Sequence, residues 1–151
     1  MSLTVRENIS AWVQTRLDLI AGATAIRPKR INWSAELTAD QTVIIQQRDV
    51  RTIHQDDTDL VIEQDYAIIA VVIDSDDVTT SIDYRINILV AAVLEALFAD
   101  RDCGGYAMAE GLRIVSDSRL DDSEGQISGR IIQVCVTYSV KIADFTQKGV
   151  A

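Results

Sequence analysis

The side chains best suited to metal or proton-transfer chemistry lie in short acidic runs and at one histidine. The run Asp74-Ser75-Asp76-Asp77 follows a long apolar segment, where catalytic carboxylates are often found. Carboxylate oxygens are preferred ligands of Mg²⁺. The same residues are typical of a turn before a helix, where negative charge interacts favourably with the helix dipole. We favour this second interpretation. Asp74, Asp76 and Asp77 are then only weak candidates for metal ligands.

His54 is the one histidine of the chain, and it precedes Asp56 and Asp57. It could be a base oriented by a carboxylate or a metal ligand, but a single histidine cannot form a His-rich zinc site. We interpret it as a solvated residue before a turn. Cys135 alternates with apolar neighbours, and Cys103 follows a helix end, where the dipole disfavours a thiolate. Neither cysteine is placed like a nucleophile.

Sequence motifs for nucleotide binding and hydrolysis are missing. The seven glycines form no G-x-G-x-x-G and no P-loop, and there is no G-x-S-x-G elbow. The run Asp121-Asp122-Ser123-Glu124-Gly125 is most simply a polar loop. We therefore expect no enzymatic activity. The competing enzyme hypothesis uses Asp74, Asp76 and Asp77 with Mg²⁺.

Hydrophobic periodicity predicts the elements that position these residues. A capping box at Thr4–Glu7 opens a helix over about 5–20. The eight apolar residues of Tyr66–Ile73 indicate a strand shielded on both faces. A helical stripe from Ile82, with a cap at Thr80 and Asp83, predicts a second helix that ends before Gly104-Gly105. Further strands are predicted at 42–47, 49–54 and 112–116 and, by strict alternation, at 132–142.

This order predicts an α+β fold with a mainly antiparallel sheet and two principal helices on one face. By length, residues 1–151 form one domain, with a frayed tail at about 147–151. Two helices can cover only one face of a sheet, whereas the central strand is apolar on both. The second face must therefore be covered by further strands, by a loop or by another subunit.

Charge and hydropathy exclude several classes of protein. The net charge of −9 argues against a nucleic-acid-binding surface, and the one basic cluster, Arg27-Pro28-Lys29-Arg30, is better interpreted as a loop. No eighteen apolar residues run together, and charges interrupt the first residues. We therefore expect neither a bilayer span nor a secretion signal.

Several short sequence segments between residues 4 and 145 follow a known pattern. They are the capped first helix with Arg16-Leu17 near its end, the Arg27-Pro28 step, the strand ending near Asp74, the helix closing Val93–Asp100, the Arg101–Tyr106 segment and a last strand with Tyr138. Together they resemble the tail terminator (minor tail, tail-completion) proteins of long-tailed bacteriophages. The segment Arg101–Tyr106 is similar to the family's D-x-x-L-G-G step, with Cys103 in place of the usual leucine.

The resemblance implies a structural protein of the virion, assembled in the host cytoplasm. Such proteins form a ring, usually hexameric, that caps the tail tube, ends tube polymerisation and presents a surface to the head connector. DNA would pass through the lumen without specific binding. The resemblance implies no cofactor and no active site. The alternative within the same setting is another neck or head–tail joining factor.

Charge adds a hypothesis about assembly. Six copies at −9 would carry about −54, so ring closure must overcome self-repulsion, and salt or Mg²⁺ should promote it. Loops on a rigid sheet usually carry recognition, so we expect contacts in segments 101–111 and 117–129. The candidate contact residues are Asp102, Gly104, Gly105, Tyr106, Asp121, Asp122 and Glu124.

Overall fold

A six-stranded, mainly antiparallel sheet and two helices make up the computed structural model, which describes residues 2–29, 37, 39–73, 81–120 and 127–150. The elements are α1 (Val5–Asp18), β1 (Thr24–Ile26), β2 (Gln41–Gln55), β3 (Asp59–Ile73), α2 (Ile82–Phe98), β4 (Leu112–Leu120), β5 (Ile127–Lys141) and β6 (Asp144–Lys148). The strand order is β1-β2-β3-β5-β4, and β6 pairs with the end of β5. Only the β1–β2 pairing is parallel among the described strands. The predicted α+β class is confirmed.

Helix α1 begins where the capping box predicts. The Thr4 side chain accepts a hydrogen bond from the Glu7 N–H at 3.1 Å. The Glu7 carboxylate pairs with Arg27 at 2.6 Å, which ties the first turn of the helix to the residue after β1. The helix ends at Asp18, two residues before the predicted end, because Leu19 turns back to the Arg16 and Leu17 carbonyls.

Helix α2 buries the predicted stripe. Its buried residues are Ile86, Leu89, Val90, Val93 and Leu97. The cap is Ser81, whose side chain accepts from the Tyr84 N–H at 3.2 Å, and the predicted cap, Thr80, lies outside the described residues. Neither helix in the described ranges is long and apolar enough to cross a membrane.

Strand β2 is continuous, although the sequence pattern divides it into two segments. A bulge between Gln47 and Val50 takes up the polar residues at the predicted break. The buried Gln64 amide donates to the Arg48 and Asp49 carbonyls at 3.1 and 3.3 Å, so the bulged backbone keeps hydrogen-bond partners.

The core divides into two clusters of buried side chains. The larger contains the buried residues of α1 and α2 together with alternate residues of β3 and β5, such as Tyr66, Ile68 and Val136. The smaller contains Ile44, Ala67, Ile69 and Val71, whose neighbours include Leu37 and Leu120. Leu37, outside the regular elements, and Leu120, in the neighbouring strand β4, therefore pack against this second cluster.

The rest of that face carries paired charges. Arg51 of β2 contacts Glu63 and Asp65 of β3 at 3.1 and 2.7 Å, and Arg113 of β4 contacts Glu63 at 3.1 Å. Cys135 lies beneath this network and is fully buried. Where it is described, this part of the second face is thus polar and partly covered by ion pairs.

The C-terminal residues are held in place up to Val150, in contrast to the predicted frayed tail. Gln147 and Lys148 belong to β6, and the Gly149 N–H donates to the Ser139 carbonyl at 3.0 Å. The Val150 N–H donates to the buried Asp59 carboxylate at 2.8 Å. The sequence pattern missed this docking because β6 is short and exposed, without apolar alternation.

Candidate functional site

The turn Asp100–Tyr106, which follows α2, is built by two carboxylates. Asp100 accepts a hydrogen bond from the Gly104 N–H at 3.1 Å, and Asp102 accepts from the Gly105 N–H at 3.0 Å. Cys103, Gly104 and Gly105 all have positive φ, between 53° and 90°. A side-chain hydrogen bond with Asp100 and one donated by the Gly105 N–H hold the pKa of Asp102 below its ordinary value. The carboxylates of Asp100 and Asp102 therefore stabilise the backbone of the turn.

Three other parts of the chain fix the turn. Gly104 lies against the Trp12 indole of α1, so closely that a Cβ there would be 2.9 Å from Cδ1. Lys148 of β6 donates to the Gly105 carbonyl at 2.9 Å. Arg101 donates through Nε to the Leu112 carbonyl at the start of β4, at 3.1 Å. These three contacts hold the turn against α1, β4 and β6.

The structure brings four of the predicted contact residues together. Asp102, Gly104, Gly105 and Tyr106 share the turn, and the Tyr106 side chain remains partly exposed. The other predicted residues lie outside the described residues, namely Asp121, Asp122 and Glu124 of the contact set and Asp74, Asp76 and Asp77 of the metal set. The predicted loop 117–129 is wrong at both ends, because residues 117–120 belong to β4 and 127–129 to β5. Ladder pairing with β5 orders these polar residues as strand.

The two thiols lie in settings that disfavour a thiolate. Burial, with the nearby Asp100 and Asp102 charges, raises the pKa of Cys103 to about 12. Burial raises the pKa of Cys135 to about 11. Both side chains are therefore neutral at physiological pH.

His54 is exposed at the end of β2, beside the turn into β3. The carboxylate nearest in sequence, Asp56, accepts hydrogen bonds from the Thr58 and Asp59 N–H groups at 2.8 and 2.7 Å, which lower its pKa. That carboxylate closes the turn. Over the described ranges, no group of three or more His, Cys, Asp or Glu side chains is placed to hold a metal ion.

Sequence reasoning missed the ion-pair network of Arg51, Glu63, Asp65 and Arg113. These residues come from three strands, and spacing along the chain does not show that they meet. The available signal was the pair Glu63 and Asp65, two residues apart in a strand and so on one face. Charge at two successive positions of one face indicated that this end of the strand is covered by polar groups.

Comparison with known proteins gives no family. No protein-family model matches the chain, and no curated protein matches its sequence.

Proposed function

We propose that the chain is a tail terminator of a long-tailed bacteriophage. In this role it closes into a ring, taken as hexameric, that caps the tail tube and ends its polymerisation. The ring also forms the surface to which the head connector attaches. The protein acts as a structural component of the virion neck, with no catalytic step.

One observation carries this proposal: segments that supply the resemblance pack against one another. Arg16 of α1 donates through Nε to the Ala96 carbonyl in the closing turns of α2, at 2.9 Å. Trp12 of α1 lies on Gly104, in the segment similar to the family's step. These segments are distant in sequence, so their contact supports interpreting them as one structural unit.

Two further contacts join the last long strand and the Arg27-Pro28 step to α1. Arg6 donates through Nε to the Tyr138 hydroxyl of the last long strand at 2.8 Å. Arg27, in the Arg27-Pro28 step, pairs with Glu7. Because both helices share the larger core cluster with alternate residues of β3 and β5, we further infer that they cover the same face of the sheet. The opposite face and the Asp100–Tyr106 turn would then be available to partners.

The test is tube length. The tail tube protein of the phage genome that encodes this chain is polymerised with substoichiometric amounts of the chain, and tubes are measured by electron microscopy. The proposal predicts shorter tubes with ring-shaped density at one end. Unchanged lengths with bare ends would overturn it, and binding to purified head connectors instead would favour a joining factor.

A pair of variants locates the contact. Tyr106→Ser removes the aromatic ring from the ordered turn and should abolish capping. Ile114→Ser changes an apolar side chain of similar exposure on β4 and should leave capping unchanged. Circular dichroism and the urea midpoint of each variant establish that it is folded.

A further inference from the structure

The side of α2 that faces away from the core carries exposed apolar side chains beside the polar Asn87 and Glu95. Tyr84 and Ile88 are 58% and 56% exposed, and Ala91 continues the same stripe one turn further along. The spacing of 85, 88, 92 and 95 follows the alternating three-and-four pattern of a helix–helix seam. Here the outward side has no covering within the described residues.

Neighbouring residues widen this surface. Leu19, just after α1, is 68% exposed, and it lines one groove with Ala92 and Glu95 of α2. Large exposed aliphatic side chains that lie together mark an interaction site more often than isolated ones do. We name the set Tyr84, Ile88, Ala91, Ala92 and Leu19 the α2 patch.

The charges beside the α2 patch indicate what covers it. Arg85 lies near the start of the helix and Glu95 near its end, and neither side chain has a partner among the described residues. Residues 85 and 95 are equidistant from position 90, as are Ile88 and Ala92. In an antiparallel pair of α2 helices centred there, Arg85 of each copy lies level with Glu95 of the other, and Ile88 lies against Ala92.

We propose that the α2 patch binds a second copy of this chain, with the two α2 helices antiparallel across a two-fold axis. The small side chains at Ala91 and Ala92 allow the helices to approach closely at the centre. Tyr84 and Leu19 then flank the crossing, and two Arg85–Glu95 pairs close its ends. Such self-complementarity is what a two-fold contact requires.

Two free edges of the sheet, those of β4 and of the second half of β2, are poor alternatives for this contact. The outer edge of β4 carries a bulge at Val115 and charges at Arg113, Asp117 and Arg119. The second half of β2 carries two bulges and is equally charged. Bulges and charges are the devices by which natural sheets prevent edge pairing.

The expected affinity is modest. A helix of 17 residues is about 25 Å long, so one helix crossing with one flanking leucine makes a contact near the lower end of stable interfaces. We expect pairing in the micromolar range, and sedimentation equilibrium on the wild-type chain should show a monomer–dimer step there. The inference does not depend on the proposed function, because a two-fold contact pairs copies whether or not a ring forms.

Charge exchange is the sharpest test. Arg85→Glu and Glu95→Arg should each weaken pairing by about tenfold, because each replaces two attractive pairs with two like-charge contacts. The double variant R85E/E95R should restore it, since the two pairs re-form with opposite polarity. Ile88→Glu should abolish pairing, whereas Val115→Glu, with 55% exposure on β4, should not.

Cross-linking checks the geometry. An Ala91→Cys thiol lies next to its two-fold mate in this arrangement, and a short bis-maleimide should join two chains through it. Both native thiols are buried, and a Glu110→Cys variant in the loop before β4 is the control that should not cross-link. A wild type that stays monomeric at high concentration, or a double variant as defective as the single ones, overturns the inference. Tube capping that survives Ile88→Glu would leave the proposed function intact, so the two hypotheses fail separately.

Discussion

Trp12 and Gly104 show how a missing side chain positions a whole turn. The indole of α1 occupies the space that a Cβ at residue 104 would need, and the residue has φ of 70°. Glycine is therefore required there twice, for its conformation and for its size. The sequence pattern indicated that Gly104-Gly105 ends α2, but it could not show the contact with α1.

We predict that Gly104→Ala lowers the free energy of unfolding by about 2–3 kcal/mol, from left-handed strain of about 1 kcal/mol or more and displacement of the indole. Gly105→Ala is the matched control, since its φ is 90° and its Cβ would meet open space. That variant should lose only the strain contribution, about 1–2 kcal/mol. Urea unfolding measures both, and equal losses would show that the Trp12 contact costs nothing.

The two thiols make a prediction about pH. Cys103 and Cys135 have pKa values raised to about 12 and 11, so the folded chain keeps both protons above pH 9 while the unfolded chain releases them. Deprotonation then favours unfolding, and stability should fall as pH rises from about 9 towards 11. A Cys103→Ala/Cys135→Ala chain should show a shallower fall in urea midpoint over that interval. A steep fall of the same size in both chains would assign the effect to other groups.

Thiol labelling is the companion measurement. At pH 8, Ellman's reagent should label the native chain slowly and the urea-unfolded chain at once, because the thiolate is the reacting form. Fast labelling of the native chain would contradict the burial of either side chain.

At the scale of elements, the sequence predicted the helices and strands whose hydrophobic pattern is strongly periodic. The buried stripe of α2 and the alternation of β5 repeat a local pattern many times, so they could be recognised without the structure. The cap at Thr4 is also local, because it depends on residues within one helical turn. The continuity of β2 depends on Gln64 of β3, and the order of β6 depends on Asp59 and Ser139. These are contacts between distant residues, and local pattern does not encode them.

The candidate surfaces likewise include one that was predicted from the sequence and one that was not. Asp102, Gly104, Gly105 and Tyr106 were predicted as contact residues because loops on a rigid sheet usually carry recognition, and that role stays a prediction. The α2 patch was not predicted, although Tyr84 and Ile88 were visible in the sequence, because the apolar stripe was assigned to the core alone. A second stripe on the opposite side of the same helix was the available signal.

Docking of the C-terminal segment makes a prediction for an element. Ending the chain after Ala143 removes β6, the Lys148–Gly105 bond and the Val150 N–H that Asp59 accepts. Because Asp59 is buried, loss of this donor should cost stability, and we expect the free energy of unfolding to fall by about 2–3 kcal/mol. Removing Ala151 alone is the control and should change nothing. If the longer truncation is equally harmless, the segment is frayed in solution, as the sequence pattern suggested.

At the scale of the whole molecule, net charge opposes every form of self-association. Each copy carries −9, and exposed charges are screened over about 8–10 Å at physiological ionic strength. The two Arg85–Glu95 pairs of the proposed contact act in the other direction. Exposed pairs of this kind contribute about 0–1 kcal/mol each and are also screened. Repulsion between two chains of −9 should therefore dominate the salt dependence.

We predict that the average molar mass by light scattering rises as NaCl increases from low ionic strength. MgCl₂ at equal ionic strength separates two causes, because screening alone gives the same rise with either salt, whereas carboxylate-bound Mg²⁺ gives a larger one. Lowering the pH towards the sequence pI of about 4.4 should also raise the mass, since it removes negative charge. A mass that falls with salt would mean that attractive ion pairs control assembly. An Arg85→Gln/Glu95→Gln chain tests this reading, because its net charge is unchanged while both ion pairs are removed, and its mass should still rise with salt.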